Sequence, residues 1–180
     1  HHRQAVIHLE TASFASLKKA DAELRRLLTE SSSDKLAKSL RAFTVSVLAV
    51  EFGEAADRAE QVLDRGGAKD DDLHAGARIL MALTRRDWAT VARLGKKATK
   101  RWPRSCYVAY ARGIAALRQG RPAVGLQLLD SVPQSKAQSL ILRNKIRALL
   151  ALGQTKDADK LLETIPSKEK ADPWARLLKL

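Results

Sequence analysis

Cysteine and aromatic residues are scarce in this chain of 180 residues, and each shortage excludes a class of structure. Cys106 is the only cysteine, so neither an internal disulfide nor a metal site built on paired cysteines can form. A packing role is expected for it, ahead of a reactive thiol. Aromatic residues make up 4% of the chain although 45% of it is hydrophobic. Because alanine and leucine supply most of that share, helices are favoured over sheets.

Long apolar runs are also missing. No stretch of about 18 apolar residues occurs, so no membrane-spanning helix is predicted. The chain shows no segment with the pattern of a cleavable secretory signal either, and a cytoplasmic location is expected. His1 and His2 resemble the end of a purification tag, so residues 1–2 are interpreted as a tag remnant.

Patterns typical of catalytic and metal sites are absent as well. His8, His74 and Cys106 do not have the spacing of a nucleophile and its base, and no glycine-rich phosphate loop follows a strand. The acidic run at 70–72 lacks the glycine and the later glutamate of a calcium loop. We interpret it as acids that favour a helix start. The sequence therefore predicts a protein with no enzymatic activity, no cofactor and no bound metal.

What the sequence does contain is a stretch that recurs at a fixed interval. Residues 106–133 align with residues 139–166 at an offset of 33, which sets Gly120 on Gly153 and Leu129 on Leu162. Residues 72–103 align upstream at an offset of 34, and residues 40–66 fit less well. Each unit has a break near its middle. This period predicts helical hairpins that stack on copies of themselves.

These repeats resemble the tetratricopeptide repeat family, over about residues 36–166. The family's unit of about 34 residues prefers small residues at two places, then an apolar residue, an alanine and a proline. Its small and apolar positions match Gly113, Gly125, Leu129, Val132, Val91, Ala98 and Pro103. The chain departs from the pattern where an aromatic is usual, since Ala75, Ala109 and Leu142 stand there.

The resemblance implies an all-α fold: a right-handed superhelical stack of helix-turn-helix hairpins with capping helices at both ends. The expected hairpins are 34–66, 72–103, 104–133 and 136–166. Residues 3–33 are expected to form an N-terminal capping helix or a partial repeat, and residues 167–180 a C-terminal capping helix. Gly125 is expected where neighbouring helices approach closely, since glycine inside a helix costs about 1 kcal/mol relative to alanine.

The resemblance also implies a binding surface. In the family, the first helix of each hairpin lines a concave groove, and its inward positions here give an apolar and aromatic middle with a cationic end. Such a lining suits a protein or peptide partner with acidic character. The implied groove residues are Leu73, Leu80, Leu83, Tyr107, Tyr110, Ile114, Arg118, Leu140, Arg143, Asn144 and Arg147.

A second candidate surface lies on the helix predicted from Trp88 to Trp102. One face carries the two tryptophans with Val91, Gly95 and Ala98, which indicates a packed face. The other face is strongly basic, with no acid nearby to balance it, in a chain of formal net charge +13. Such a face is usually a solvated surface, but it can also dock an acidic protein, nucleic acid or an anionic membrane surface. We call it the basic ridge, and its residues are Arg93, Lys96, Lys97, Lys100, Arg101 and Arg104.

Cations also occupy one repeat position in three successive units, at Arg78, Arg112 and Lys145. Two interpretations stay open for them. They either pair with acids such as Asp130 or Glu163 and cover apolar surface with their stems, or form a ladder that contacts a ligand.

Two functions follow from these surfaces. The first is a non-enzymatic protein–protein interaction scaffold that binds a peptide or an acidic protein segment in the concave groove. The alternative is a basic helical-repeat module that binds nucleic acid or an anionic surface through the convex basic ridge.

Overall fold

The protein is known from a computed structural model, which describes residues 2–54, 56–65, 70–132 and 138–165. Within these ranges it contains ten α-helices and no strands, which confirms the predicted all-α class. The helices are α1 (His2–Thr11), α2 (Phe14–Glu30), α3 (Lys35–Phe52), α4 (Ala56–Arg65), α5 (Asp72–Thr84), α6 (Trp88–Arg101), α7 (Cys106–Arg118), α8 (Pro122–Asp130), α9 (Gln138–Ala151) and α10 (Thr155–Glu163).

Short loops join the helices in pairs that pack against each other. The pairs are α1 with α2, α3 with α4, α5 with α6, α7 with α8, and α9 with α10. Three of the helices that open a pair end before a glycine in the left-handed region: Gly53 and Gly120 at φ 70° and Gly153 at φ 73°. Because glycine has no Cβ, it reverses the chain there without steric cost. The pairs from α3 to α10 lie within the four segments expected to form hairpins.

Serine and aspartate side chains cap the N-termini of several helices. Asp34 accepts a hydrogen bond from the Ala37 backbone N–H at 2.9 Å, and that bond holds the pKa of Asp34 below its ordinary value. Asp71 accepts from the His74 N–H at 2.6 Å, so the acidic run at 70–72 does serve a helix start. Among the described residues, no group of three potential metal ligands comes together.

For residues 3–33 a capping helix or a partial repeat was expected, and the structure has more than one helix there. This segment forms two helices, α1 and α2, that pack against each other as a further hairpin. The break falls at Ala12, whose backbone has a φ of 54°, and Ser13 then accepts the Ser16 N–H to begin α2. The sequence has no glycine or proline between residues 3 and 33 to mark this turn.

The first helices of successive pairs form the centre of the molecule. Helix α3 packs on α5, and α5 packs on α7. Phe43 and Tyr110 are the largest fully buried side chains, with ring centroids 6.0 Å apart. Helix α1, which opens the first pair, contacts both α3 and α9. The N-terminal helix therefore packs against the first helix of the second pair and the first helix of the fifth pair.

Helices α7 and α8 approach closely at two glycines. A Cβ added to Gly125 would lie 3.1 Å from the Gly113 carbonyl oxygen, and one added to Gly113 would lie 2.7 Å from Leu129 Cγ. The close approach predicted at Gly125 is therefore confirmed. No helix in the described residues is both long and apolar enough to cross a bilayer. The C-terminal capping helix expected at 167–180 lies outside the described residues.

Candidate functional site

Most residues expected to line an open concave groove are instead buried in the centre of the molecule. Leu73, Leu80, Leu83, Ile114 and Leu140 belong to the apolar core, with exposed fractions between 0% and 6%. Tyr110 and Asn144 are fully buried, Arg143 is 8% exposed, Tyr107 and Arg147 are half-buried, and Arg118 is exposed. The structure brings these residues together, but not as an accessible lining.

Three polar members of this group contact a carboxylate from α3. Glu51 accepts hydrogen bonds from the Tyr110 hydroxyl at 2.8 Å, from Asn144 Nδ2 at 3.1 Å and from Arg147 Nη1 at 2.6 Å. Its side chain is 6% exposed and that of Arg147 is 24% exposed. Burial and the neighbouring Glu51 charge raise the pKa of Tyr110 well above its ordinary value, so the phenol is neutral and donates. We call these four residues the Glu51 cluster.

Arg143 holds the C-terminal end of α1. Its Nη1 donates to the carbonyl oxygen of Ala12 at 2.6 Å, and its Nη2 donates to that of Thr11 at 3.4 Å. The last carbonyls of a helix lack intrahelical partners and carry partial negative charge. A buried guanidinium therefore finds its acceptors within the chain here.

These contacts correct the picture of an exposed trough at this face. Helix α1 covers α9, and Glu51 already occupies the acceptor position that an acidic partner was expected to fill. Arg118 lies at the rim of a polar opening of about 780 Å³, which Glu51 and Trp88 also line, and donates to the Val50 carbonyl oxygen at 3.0 Å. Partner binding by the implied groove residues stays a prediction.

The basic ridge, by contrast, is exposed along its whole length. All six of its side chains are exposed on α6 or just after it, while Val91, Gly95 and Ala98 on the opposite face are buried. Trp88 and Trp102 pack against the core, as their place on the apolar face predicts. Within the described ranges, Arg101 is the only ridge residue with an ion pair, which it forms with Asp70. The other five have no ion pair in these ranges, but an acid does lie near one of them, because hydrogen bonds from Thr90 and the charge of Arg93 lower the pKa of Asp87.

An open groove of about 550 Å³ adjoins the ridge, and we call it the outer groove. It is lined by α6, α7 and α8, and α7 packs against the other two. Its apolar lining includes Val91, Ala115, Ala116, Val124 and Leu128. Its cations are Lys96, Lys100, Arg112 and Arg121, of which the first two also belong to the basic ridge. No aspartate or glutamate is among the described residues that line it.

Arg112 is the least exposed of the groove cations. Its stem runs beneath α6 at Gly95, where an added Cβ would lie 3.4 Å from Cγ, Cδ and Nε of the arginine. Its Nη1 donates to Thr99 Oγ1 at 2.5 Å. No carboxylate of the described residues pairs with it, and burial lowers its pKa. A guanidinium presents five N–H donors, and within the described residues Thr99 is the hydrogen-bond acceptor of Arg112.

The three cations that share a repeat position therefore differ. Lys145 Nζ pairs with Asp130 Oδ1 at 2.7 Å, which confirms the structural interpretation for that residue. Arg78 is exposed on α5. Arg112 stands between these cases, half-buried with a hydroxyl as its partner. The position does not form one uniform ladder.

Comparison with known proteins found no match to the chain among family models, curated proteins or solved structures.

Sequence reasoning missed Glu51, Arg121 and the outer groove. Glu51 could have been found, because it follows a mostly apolar segment from Phe43 to Val50 and is the only acid in that helix. A carboxylate at the end of so apolar a helix must find donors or solvent. The groove depends on the spacing between α6 and α8, which the repeat pattern does not report.

Proposed function

We propose that the protein is a non-enzymatic helical-repeat interaction module that binds an acidic segment of a partner protein on its basic ridge. The observation that carries the proposal is the contrast in pairing. The cations of the inner face have acceptors within the chain, whereas five of the six ridge cations lack an ion pair in the described residues. Complementary charge then steers a partner to the ridge and fixes its position.

The proposal keeps the tetratricopeptide-like arrangement of hairpins and moves the binding surface. Support for the stack comes from the repeat period and from helix pairs with similar boundaries, glycine ends and capped starts. Partner binding in the concave groove has less support, because its cations already bind Glu51 and the end of α1.

Binding of nucleic acid is the second candidate, favoured by a sequence pI of about 10.2 and by the same ridge. Phosphate contacts made by lysine and arginine weaken steeply with added salt, because their formation releases counterions from the nucleic acid and added salt opposes that release. The aromatic stacking platforms of single-strand binding proteins are not evident on the ridge, since Trp88 and Trp102 pack inward. An acidic protein segment therefore fits better.

The test compares two triple charge reversals with the same change in net charge. The ridge variant is Arg93→Glu, Lys97→Glu and Arg104→Glu, and the control is Lys19→Glu, Lys35→Glu and Lys156→Glu, all exposed positions. Binding of a fluorescent disordered peptide rich in Asp and Glu is measured at about 0.15 M salt. We expect at least about a tenfold loss of affinity for the ridge variant and under about threefold for the control.

Two results would contradict the proposal. Equal losses in both variants would mean that net charge alone attracts the peptide. Tighter binding of a single-stranded oligonucleotide of equal charge, with a steeper salt dependence, would favour the nucleic-acid function.

A further inference from the structure

We infer that the outer groove receives one short amphipathic acidic helix of a partner protein and that Arg112 binds a carboxylate of that helix. This inference rests on the proposed function and deepens it. It adds that the ligand is helical, that part of the contact is apolar, and that Arg112, which is not a residue of the basic ridge, determines specificity.

The shape of the groove argues for a helix. The lining residues on α7 and at its C-cap recur at i, i+3, i+4 and i+7, namely Arg112, Ala115, Ala116 and Gln119. Those at the N-cap of α8 and on α8 recur at i, i+3 and i+7, namely Arg121, Val124 and Leu128. Walls of this kind repeat at the pitch of an α-helix, the geometry by which helix-in-groove complexes interlock. The α6 wall from Val91 to Lys100 is about 14 Å long, or about two and a half helical turns.

The chemistry of the lining argues for an amphipathic, acidic occupant. Small apolar side chains, Ala115 and Ala116, allow close approach along the floor, and Val124 and Leu128 form an apolar wall. Lys96 and Lys100 stand on the ridge side and Arg121 at the start of α8. An apolar stripe flanked by carboxylates would satisfy both features at once. Arg112 is the position where a carboxylate gains most, because partial burial strengthens a charge-assisted hydrogen bond.

Charge also disfavours two other occupants. A second copy of the chain would bring a formal net charge of +13 to a cationic groove. The C-terminal residues 166–180 carry Lys168, Lys170, Arg176 and Lys179 against Glu169 and Asp172, so that segment is cationic too. The complementary ligand therefore comes from another, acidic protein.

The experiment uses the full chain and designed peptides. The probe is a fluorescent peptide of about four helical turns, with leucines at i, i+3, i+4 and i+7 and glutamates beside them. A peptide of the same composition in scrambled order measures charge without the apolar stripe, and a glutamine-for-glutamate version measures the stripe without charge. We expect the amphipathic peptide to bind at least about tenfold tighter than either at about 0.15 M salt.

Protein variants separate Arg112 from the ridge. Arg112→Met should weaken the amphipathic peptide about tenfold and leave the scrambled peptide within about twofold, whereas Lys97→Met should weaken both peptides alike. Leu128→Ser should weaken only the amphipathic peptide. Circular dichroism and thermal unfolding accompany each variant. The Arg112→Met midpoint should not fall, because the substitution removes a partly buried charge that lacks a counterion in the described residues.

The outcomes distinguish this inference from the proposed function. Equal binding of amphipathic and scrambled peptides, unchanged by Arg112→Met, would overturn the groove as a helix site and leave the ridge as the binding surface. Failure of every acidic peptide to bind would overturn both. A lower unfolding midpoint for Arg112→Met, together with glutamine and glutamate peptides of equal affinity, would assign Arg112 to packing alone and overturn its role in recognition.

Discussion

Arginine side chains have different kinds of partner in two regions of the molecule. In the Glu51 cluster, Arg147 is paired with a carboxylate that also accepts from a tyrosine and an asparagine. In the outer groove, Arg112 has a threonine hydroxyl as its partner, and none of the described residues that line the walls is an acid. Buried charge stabilises a fold only when it is paired and hydrogen-bonded. The Glu51 cluster is therefore part of the folded core, and the outer groove is the surface that we propose for a ligand.

The first prediction tests this contrast by removing the Glu51 carboxylate. Glu51→Ala takes away the acceptor of three donors and leaves Arg147 without its counterion, which costs about 3–5 kcal/mol for a buried pair. Urea denaturation measures the loss. Glu54→Ala is the matched control, because Glu54 pairs with Lys18 at 3.1 Å near the surface and should cost under about 1 kcal/mol. Similar losses in the two variants would mean that the Glu51 cluster is not a stabilising centre.

The second prediction concerns the close contact between α7 and α8, which separates the core from the outer groove. Gly125→Leu places a side chain against the Gly113 carbonyl and Leu117, and the overpacking should cost about 1–3 kcal/mol. Because α8 must move, binding of the amphipathic peptide should weaken as well. Thermal unfolding and peptide titration measure the two effects. Gln127→Leu, at an exposed position on the same helix, is the control and should leave both unchanged.

The third prediction uses the raised pKa of Tyr110. In the unfolded chain a tyrosine ionises near pH 10, while the folded protein keeps Tyr110 protonated to higher pH. The unfolded state therefore releases its proton first, and stability falls as the pH rises above about 10. Tyr110→Phe should cost about 1 kcal/mol at pH 7 through the lost hydrogen bond to Glu51.

The same variant should make the alkaline decline shallower, which denaturant midpoints at about pH 8, 9.5 and 11 would measure. Ser46→Ala serves as a control for a lost buried hydroxyl, since it removes a hydrogen bond in α3 without removing an ionisable group near pH 10. An alkaline slope in Tyr110→Phe as steep as in the wild type would contradict the assignment.

How far the sequence could predict this molecule differs between its elements and its surfaces. Helix positions, the N-cap at Asp34, the close approach at Gly125 and the pairing of Lys145 with Asp130 follow from local residue pattern and spacing. Burial of Arg143 and Asn144 does not, because it depends on α1 folding back onto α9, far away in the chain. The outer groove was missed for the same reason. The burial of these two residues and the shape of the outer groove depend on distances between helices, which the sequence of a single repeat does not determine.

The hydrogen bond from Arg143 to the Ala12 carbonyl joins residues 131 positions apart. In a linear array each module is stabilised by its neighbours alone, so an end can fray without disturbing the rest. Here the α1–α2 pair is held by a residue of the α9–α10 pair, and this hydrogen bond can form only after the 131 residues that separate its partners have been synthesised. Loss of the distal module by proteolysis should consequently loosen the proximal one, so that the stability of the two modules is coupled.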